Sequence, residues 1–171
     1  DLRAANKDAI ADAAAKTDRA FKAGAIAVGA ACEITTMPGY LPALSEKADA
    51  SVLAAAEIAA QTSENDYQIV QEDTHAYSGG STDVGDVQHL QPVLTFNTGG
   101  KVSGLHSVDF DIVDEELAYV VTAKIFALSA YRLLRDGAVK AKEIVENYQP
   151  IFTKEEYIKY MDSFIKTETY S

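Results

Sequence analysis

The sequence has a single cysteine, no tryptophan and only three histidines in 171 residues. A lone thiol, Cys32, excludes an intrachain disulfide framework, and no C-x-x-C pair exists to hold zinc. Set in the apolar run 24–34, Cys32 reads as a buried structural thiol rather than a reactive one. Basic residues are scarce as well: 15 Lys and Arg stand against 26 Asp and Glu, for a net charge of -11. That balance excludes nucleic acid and an anionic membrane surface as partners, since both demand basic patches. An uninterrupted run of about 18 apolar residues, the length of a membrane span, is missing. The opening DLRAANKDA lacks both an initiator Met and the basic-then-apolar order of a signal peptide. It starts as if within an element, so the chain is expected to be a fragment, and the cytoplasm is the expected compartment. Neither G-x-G-x-x-G nor a P-loop occurs, which removes support for nucleotide binding, and no G-x-S-x-G elbow supports a serine hydrolase.

What is present is ordinary globular material. An apolar content of 47% suits one core, or one domain plus a piece of another. Asp1 to Arg3 reads as a strand end. From Asn6, which can cap, an alanine-rich helix is indicated, with Asp8 near its N-terminus. Ile10, Ala13, Ala14, Thr17, Phe21 and Ala25 recur at helical spacing, and Gly24 ends or loosens the helix. Residues 25–36 read as a strand carrying β-branched Val28, Ile34, Thr35 and Thr36. Pro38, Gly39 and Pro42 then mark a linker and a domain boundary. A second helix is expected over 45–60, capped by Ser45, with Leu53, Ala56 and Ala60 on one face.

Further on, residues 67–71 read as a short strand, 83–90 as a short helix closed by Pro92, and 93–97 as a strand buried in a sheet. The longest helix is expected over 114–135. Asp114, Glu115 and Glu116 load its N-terminus, Arg132 and Arg135 its last turn, and Gly137 stops it. Its packing stripe is Leu117, Val120, Val121, Ile125, Leu128 and Tyr131. Another helix, 138–148, precedes Pro150, and Thr153 with Glu156 forms a capping box for the tail. Strands alternating with helices indicate an α/β arrangement.

Chemistry concentrates between residues 79 and 106. The turn Gly79-Gly80-Ser81-Thr82-Asp83 offers successive backbone N–H groups under little steric cover, either as an ordinary tight turn or as a cradle for a carboxylate or oxyanion. No pair among His75, His89 and His106 has the spacing of a self-contained metal motif, and a histidine so placed is more often structural than a ligand. His106 is the better candidate, following Ser103-Gly104 in a loop, with Asp109 near enough to orient it.

Taken together these residues resemble the M20 family of metallopeptidases and amidohydrolases, which includes aminoacylases, aminobenzoyl-glutamate hydrolases and the carboxypeptidase G2 type. The GGSTD turn, the Gly104-Leu105-His106 loop some two dozen residues on, and Asp1-Leu2-Arg3 before a helix occur in the family's order. The STDVGDV wording is nearest the aminoacylase and aminobenzoyl-glutamate hydrolase branch. The resemblance implies an α/β catalytic domain with a three-layer sheet and flanking helices, of which residues 39–171 are the C-terminal portion. Residues 1–38 would be the remnant of an α+β lid through which the family often forms homodimers. It implies two divalent ions, zinc or manganese, with His106 as the C-terminal ligand, and an amide or small peptide as substrate. Arg3 would grip the substrate carboxylate, and Gly80, Ser81, Thr82 and Asp83 would line the substrate wall, with Ser81 where relatives often have glycine. With His106 the metal wall would include no other ligand here: the H-x-D, the Glu-Glu pair and the general base belong to the family's N-terminal half, so this chain alone is expected to be inactive. His75 and His89 become bystanders. A non-catalytic binding or assembly module that keeps the fold without the metals is the rival reading, and an H-x-D with a Glu-Glu pair upstream would decide between the two. A third reading is an unrelated α/β domain in which His106 is structural.

Overall fold

The computed structural model describes residues 1–44, 49–70 and 80–170. In chain order its elements are α1 (Lys7–Val28), β1 (Cys32–Thr36), α2 (Ala50–Gln61), α3 (Val84–Gln88), β2 (Lys101–Val102), β3 (Asp111–Ile112), a π-helical stretch (Glu116–Val121) leading into α4 (Thr122–Asn147), α5 (Lys154–Asp162) and β4 (Lys166–Tyr170). Helix and sheet are mixed, at about 52% helix, and the strands form two small antiparallel pairs, β1 with β4 and β2 with β3. The chain divides into two compact units, one of residues 1–45, 75–93 and 149–171, the other of 46–74 and 94–148.

In the first unit, α1 starts where its sequence cap directs: the Asn6 side chain accepts the Ala9 N–H at 2.9 Å. The helix runs through Gly24 and stops at Gly29, whose φ of 66° needs the left-handed region that glycine enters freely. The strand expected over 25–36 is therefore shorter, beginning at Cys32, because alanine's helix preference carries α1 through Ala27 and Val28. Asp1 to Arg3 forms no strand. The pairing of β1 with β4 sets Cys32 opposite Tyr170 and Thr36 opposite Lys166, with the Thr35 and Thr167 hydroxyls 3.1 Å apart. Cys32 is half-buried, not buried as expected, since a two-stranded ribbon has too little cover to enclose a side chain. Nothing in the tail had signalled β4. The capping box forms in full: the Thr153 N–H donates to the Glu156 carboxylate at 2.8 Å, and the Glu156 N–H donates to Thr153 Oγ1 at 3.2 Å.

The second unit holds the core. α2 is capped by Asp49, which accepts the Ser51 N–H at 2.7 Å; the expected cap, Ser45, lies outside the described residues. Val52, Ala55 and Ala59 on α2 pack against Val121 and Ile125, and Tyr67, Leu94, Phe96, Leu117 and Leu128 close around them. The expected stripe on the long helix is partly displaced. Leu117, Val121, Ile125 and Leu128 face the core, while Val120 and Tyr131 are 48% and 63% exposed. A π-helical turn holds more residues than an α-turn, so the positions entering α4 are rotated out of the simple register. Gly137, at φ 74°, interrupts the helix at 135–138, and the two expected helices lie on either side of that break. Residues 93–97 belong to no strand among the described residues, although half-buried Leu94 and Phe96 alternate with exposed Thr95 and Asn97 as a one-sided strand would.

Residues Glu116–Asn147 contain a window of mean hydropathy 1.4 that is long and apolar enough to cross a membrane by length and composition, with 17% of it buried. Lys124 interrupts its apolar run and donates to the Thr62 carbonyl at 2.8 Å, and Val121 and Ile125 pack on α2.

Ile125 is 5% exposed at the centre of that seam. Ile125→Ala should lower the unfolding free energy by about 2–4 kcal/mol in urea denaturation, through lost burial and the cavity left behind. A loss below about 1 kcal/mol, the range of a tolerated change, would show that the seam does not hold the unit together.

Candidate functional site

The turn expected to face substrate begins outside the described residues at Gly79 and continues through Gly80 to Asp83. Ser81, Thr82 and Asp83 are exposed. Thr82 and Asp83 form the entry to α3: Gly85 N–H donates to the Thr82 carbonyl and Val87 N–H to the Asp83 carbonyl, each at 3.3 Å. A helix of five residues has almost no stability of its own. Its neighbours hold it. Asp86 Oδ1 accepts the Leu41 N–H at 2.8 Å, and the Gln88 amide accepts the Leu44 N–H at 2.9 Å while donating to the Leu44 carbonyl at 3.2 Å. Gln88, 3% exposed, thus pairs with a backbone as another backbone would. Gly85 lets the segment come so close: a Cβ there would stand 2.0 Å from the Leu41 carbonyl oxygen.

His89 ends this helix as a structural residue. Its Nδ1 lies 2.7 Å from the Gly85 carbonyl, its ring stacks on Phe152 at 6.0 Å, and its carbonyl accepts the Ile151 and Phe152 N–H groups at 3.0 and 3.1 Å. His75 lies outside the described residues. Arg3 is exposed just before α1, with its guanidinium 3.3 Å from the Asp1 carboxylate.

His106 belongs to the second unit, at the tip of the hairpin that joins β2 to β3. The loop turns through two left-handed, non-glycine residues, Ser103 and His106, both at φ 66°. Such conformations cost energy and cluster at functional loops. Ser107 N–H donates to the Gly104 carbonyl and Phe110 N–H to the Ser107 carbonyl, each at 3.2 Å. The imidazole is exposed and has no hydrogen-bond partner among the described residues. Asp109, expected to orient it, makes no hydrogen bond to it among the described residues; the Asp109 backbone N–H donates to Ser107 Oγ at 3.2 Å.

The base of the hairpin is more firmly built than its tip, by residues the sequence reading missed. The Gly100 carbonyl accepts the Val113 and Asp114 N–H groups at 2.9 and 3.2 Å, and a Cβ on Gly100 would stand 2.7 Å from the Asp114 carbonyl oxygen. Asp114 Oδ1 accepts both the Leu117 N–H and the Tyr67 hydroxyl at 2.9 Å. Glu116 accepts the Glu64 N–H at 2.6 Å, Asn65 Nδ2 at 2.8 Å and the Tyr67 hydroxyl at 3.1 Å. Burial and the two carboxylates push the Tyr67 phenol up to about 12. The Glu64 N–H, then the other donors, hold the Glu116 carboxyl below the usual carboxylate range. Glu116 was legible only as a helix start; its partners lie some fifty residues back in the chain.

Among the described residues no group of three or more His, Cys, Asp and Glu side chains is placed to hold a metal ion. A structural or catalytic zinc needs at least three protein ligands, so the single imidazole of His106 does not by itself fit a resident metal pair. No family model, curated protein or solved structure matches the chain.

The acid cluster sets a pH dependence. Glu116 ionises more readily in the fold than in the unfolded chain, so its charge stabilises the fold above the ordinary value of 4.5 and that contribution is lost as pH falls through the depressed one. Tyr67 acts in the opposite range: its neutral phenol supports the fold fully below its ordinary value of 10.0, and the support is lost as pH rises toward about 12. Circular dichroism against pH should therefore show Glu116→Gln blunting the acid limb more than the alkaline one and Tyr67→Phe the alkaline limb more than the acid one, since their shared hydrogen bond couples the two. Wild-type behaviour on both limbs would remove the cluster from any stabilising role.

Proposed function

We propose that this chain is the C-terminal portion of an M20-type metal-dependent amidohydrolase, whose complete form hydrolyses the amide bond of N-acyl or aminoacyl amino acids or small peptides. The support lies in the order of the GGSTD turn, the GLH loop and the DLR segment. The observation that carries most weight is the contrast between two histidines. His89 is buried and bonded to its own helix, whereas His106 is held out on a left-handed loop with no internal partner among the described residues. An imidazole left unclaimed by its own fold keeps its nitrogen for an outside ligand.

In this reading His106 is one ligand of a zinc or manganese pair whose other ligands and general base come from sequence outside this chain, and the chain alone is inactive. The exposed backbone of Gly80, Ser81, Thr82 and Asp83 forms the substrate wall, and Arg3 binds the substrate carboxylate, a pairing that suits the guanidinium fork. Residues 39–171 would then belong to a three-layer catalytic domain and 1–38 to a lid that pairs two protomers, in a cytoplasmic enzyme.

In the complete protein, His106→Ala should lower both bound zinc or manganese and amidase activity on N-acyl amino acids, by on the order of 100-fold in activity. Unchanged metal content and activity would overturn the reading and leave His106 a surface residue. Arg3→Ala should raise KM for substrates with a free carboxylate and leave KM for their carboxamide analogues alone.

A further inference from the structure

A second group of polar side chains lies in the His106-bearing unit and has no place in the amidohydrolase reading. The first turn of α2 and both sides of the break in α4 line a cleft of about 350 Å³. Arg132 lines it from before the break, Arg135 from within the break, and Lys140 and Glu143 from after it. Arg135 Nε is 3.3 Å from Asp136, and Lys140 Nζ is 3.2 Å from Glu143. Both pairs are exposed, so they hold their cations loosely.

Arg132 is different. Its Nε is buried without a hydrogen-bond partner and so lies out of a ligand's reach, while the residue lines the cleft and its guanidinium has no ion pair among the described residues. A guanidinium without an ion pair is a permanent cation left uncompensated, and in a chain of net charge -11 a cleft with three cations against two carboxylates is locally reversed in sign. Asp49 already occupies the Ser51 N–H at the start of α2, so the side chains, rather than the helix amides, would carry an anion. Guanidinium presents a planar fork that matches both carboxylate and phosphate, and the cleft has the volume of a small-ligand site.

We propose that this cleft binds a small oxyanion, the carboxylate or phosphate of a metabolite-sized molecule, with Arg132 as its anchor. The inference stands apart from the metal and substrate roles given to His106, Arg3 and the 80–83 turn, and holds or fails independently of them.

The test is a titration of the full chain with inorganic phosphate and, separately, acetate at low ionic strength, followed by amide chemical shifts. One or both should produce saturable shifts at Ser51, Arg135 and Lys140, and the ion that saturates at the lower concentration assigns the class. Arg132→Gln, with unchanged circular dichroism, should weaken the binding about tenfold or more, the loss expected for one charge-assisted contact. Lys140→Gln, at an exposed position, should weaken it severalfold even if the Arg132 variant fails to fold, and Lys16→Gln on α1 should leave it unchanged. Shifts that rise linearly and spread over surface lysines, or equal affinity in wild type and Lys140→Gln, would overturn the proposal.

Discussion

Two alanines make the second unit possible. Ala55 and Ala59 are fully buried, one turn apart on α2, and their methyl groups let that helix come close enough for Val121 and Ile125 to fill the seam. Everything else in the unit leans on this contact. Leu94 and Phe96 have a surface to cover only because the helices meet, and half-buried Tyr67 packs on the same cluster. From there its hydroxyl reaches Asp114 and Glu116, and Asp114 stands beside Gly100 at the root of the hairpin. The position of His106 within its unit is thus set by packing first and by hydrogen bonds second. That order is physically sensible, because the hydrogen bonds at an exposed hairpin compete with water and could not locate it alone.

The same core is small for the apolar content of the chain. Among the described residues no large side chain is fully buried, α1 buries no residue at all, and Phe126, Leu134 and Val139 on α4 are each more than 60% exposed. Exposure on this scale reflects how little of the apolar content the α2–α4 seam encloses.

How much of this could be read from the sequence depended on how local the signal was. Asn6 at the head of α1, the Thr153–Glu156 box and Gly137 within the long helix act on residues three or four away, and each did what its chemistry indicates. Strands fared worse because pairing is a long-range matter. β4 lies 130 residues or more from its partner β1, and residues 93–97 have strand-like alternation without a neighbouring strand among those described. The π-helical turn was also invisible, since its composition is that of a plain helix and only the exposure of Val120 and Tyr131 reveals the shift in register. At the site, residue types and their order were legible, but the Tyr67 cluster was not, because no spacing rule joins positions fifty apart.

The motif around residues 80–89 shows why residue identity and role have to be argued separately. Ser81, Thr82 and Asp83 are exposed. The next residues look equally conspicuous in the sequence, yet Gly85, Asp86, Gln88 and His89 are all spent on holding a five-residue helix against residues 41–44 and 151–152. A helix so short persists only through such outside bonds, so the exposed half of the motif keeps its shape because the buried half is fully committed. The same logic separates the two described histidines. His89 has its Nδ1 and its carbonyl claimed by neighbours, which leaves a ligand little to bind, whereas His106 has given up internal bonding and accepted an unfavourable backbone angle.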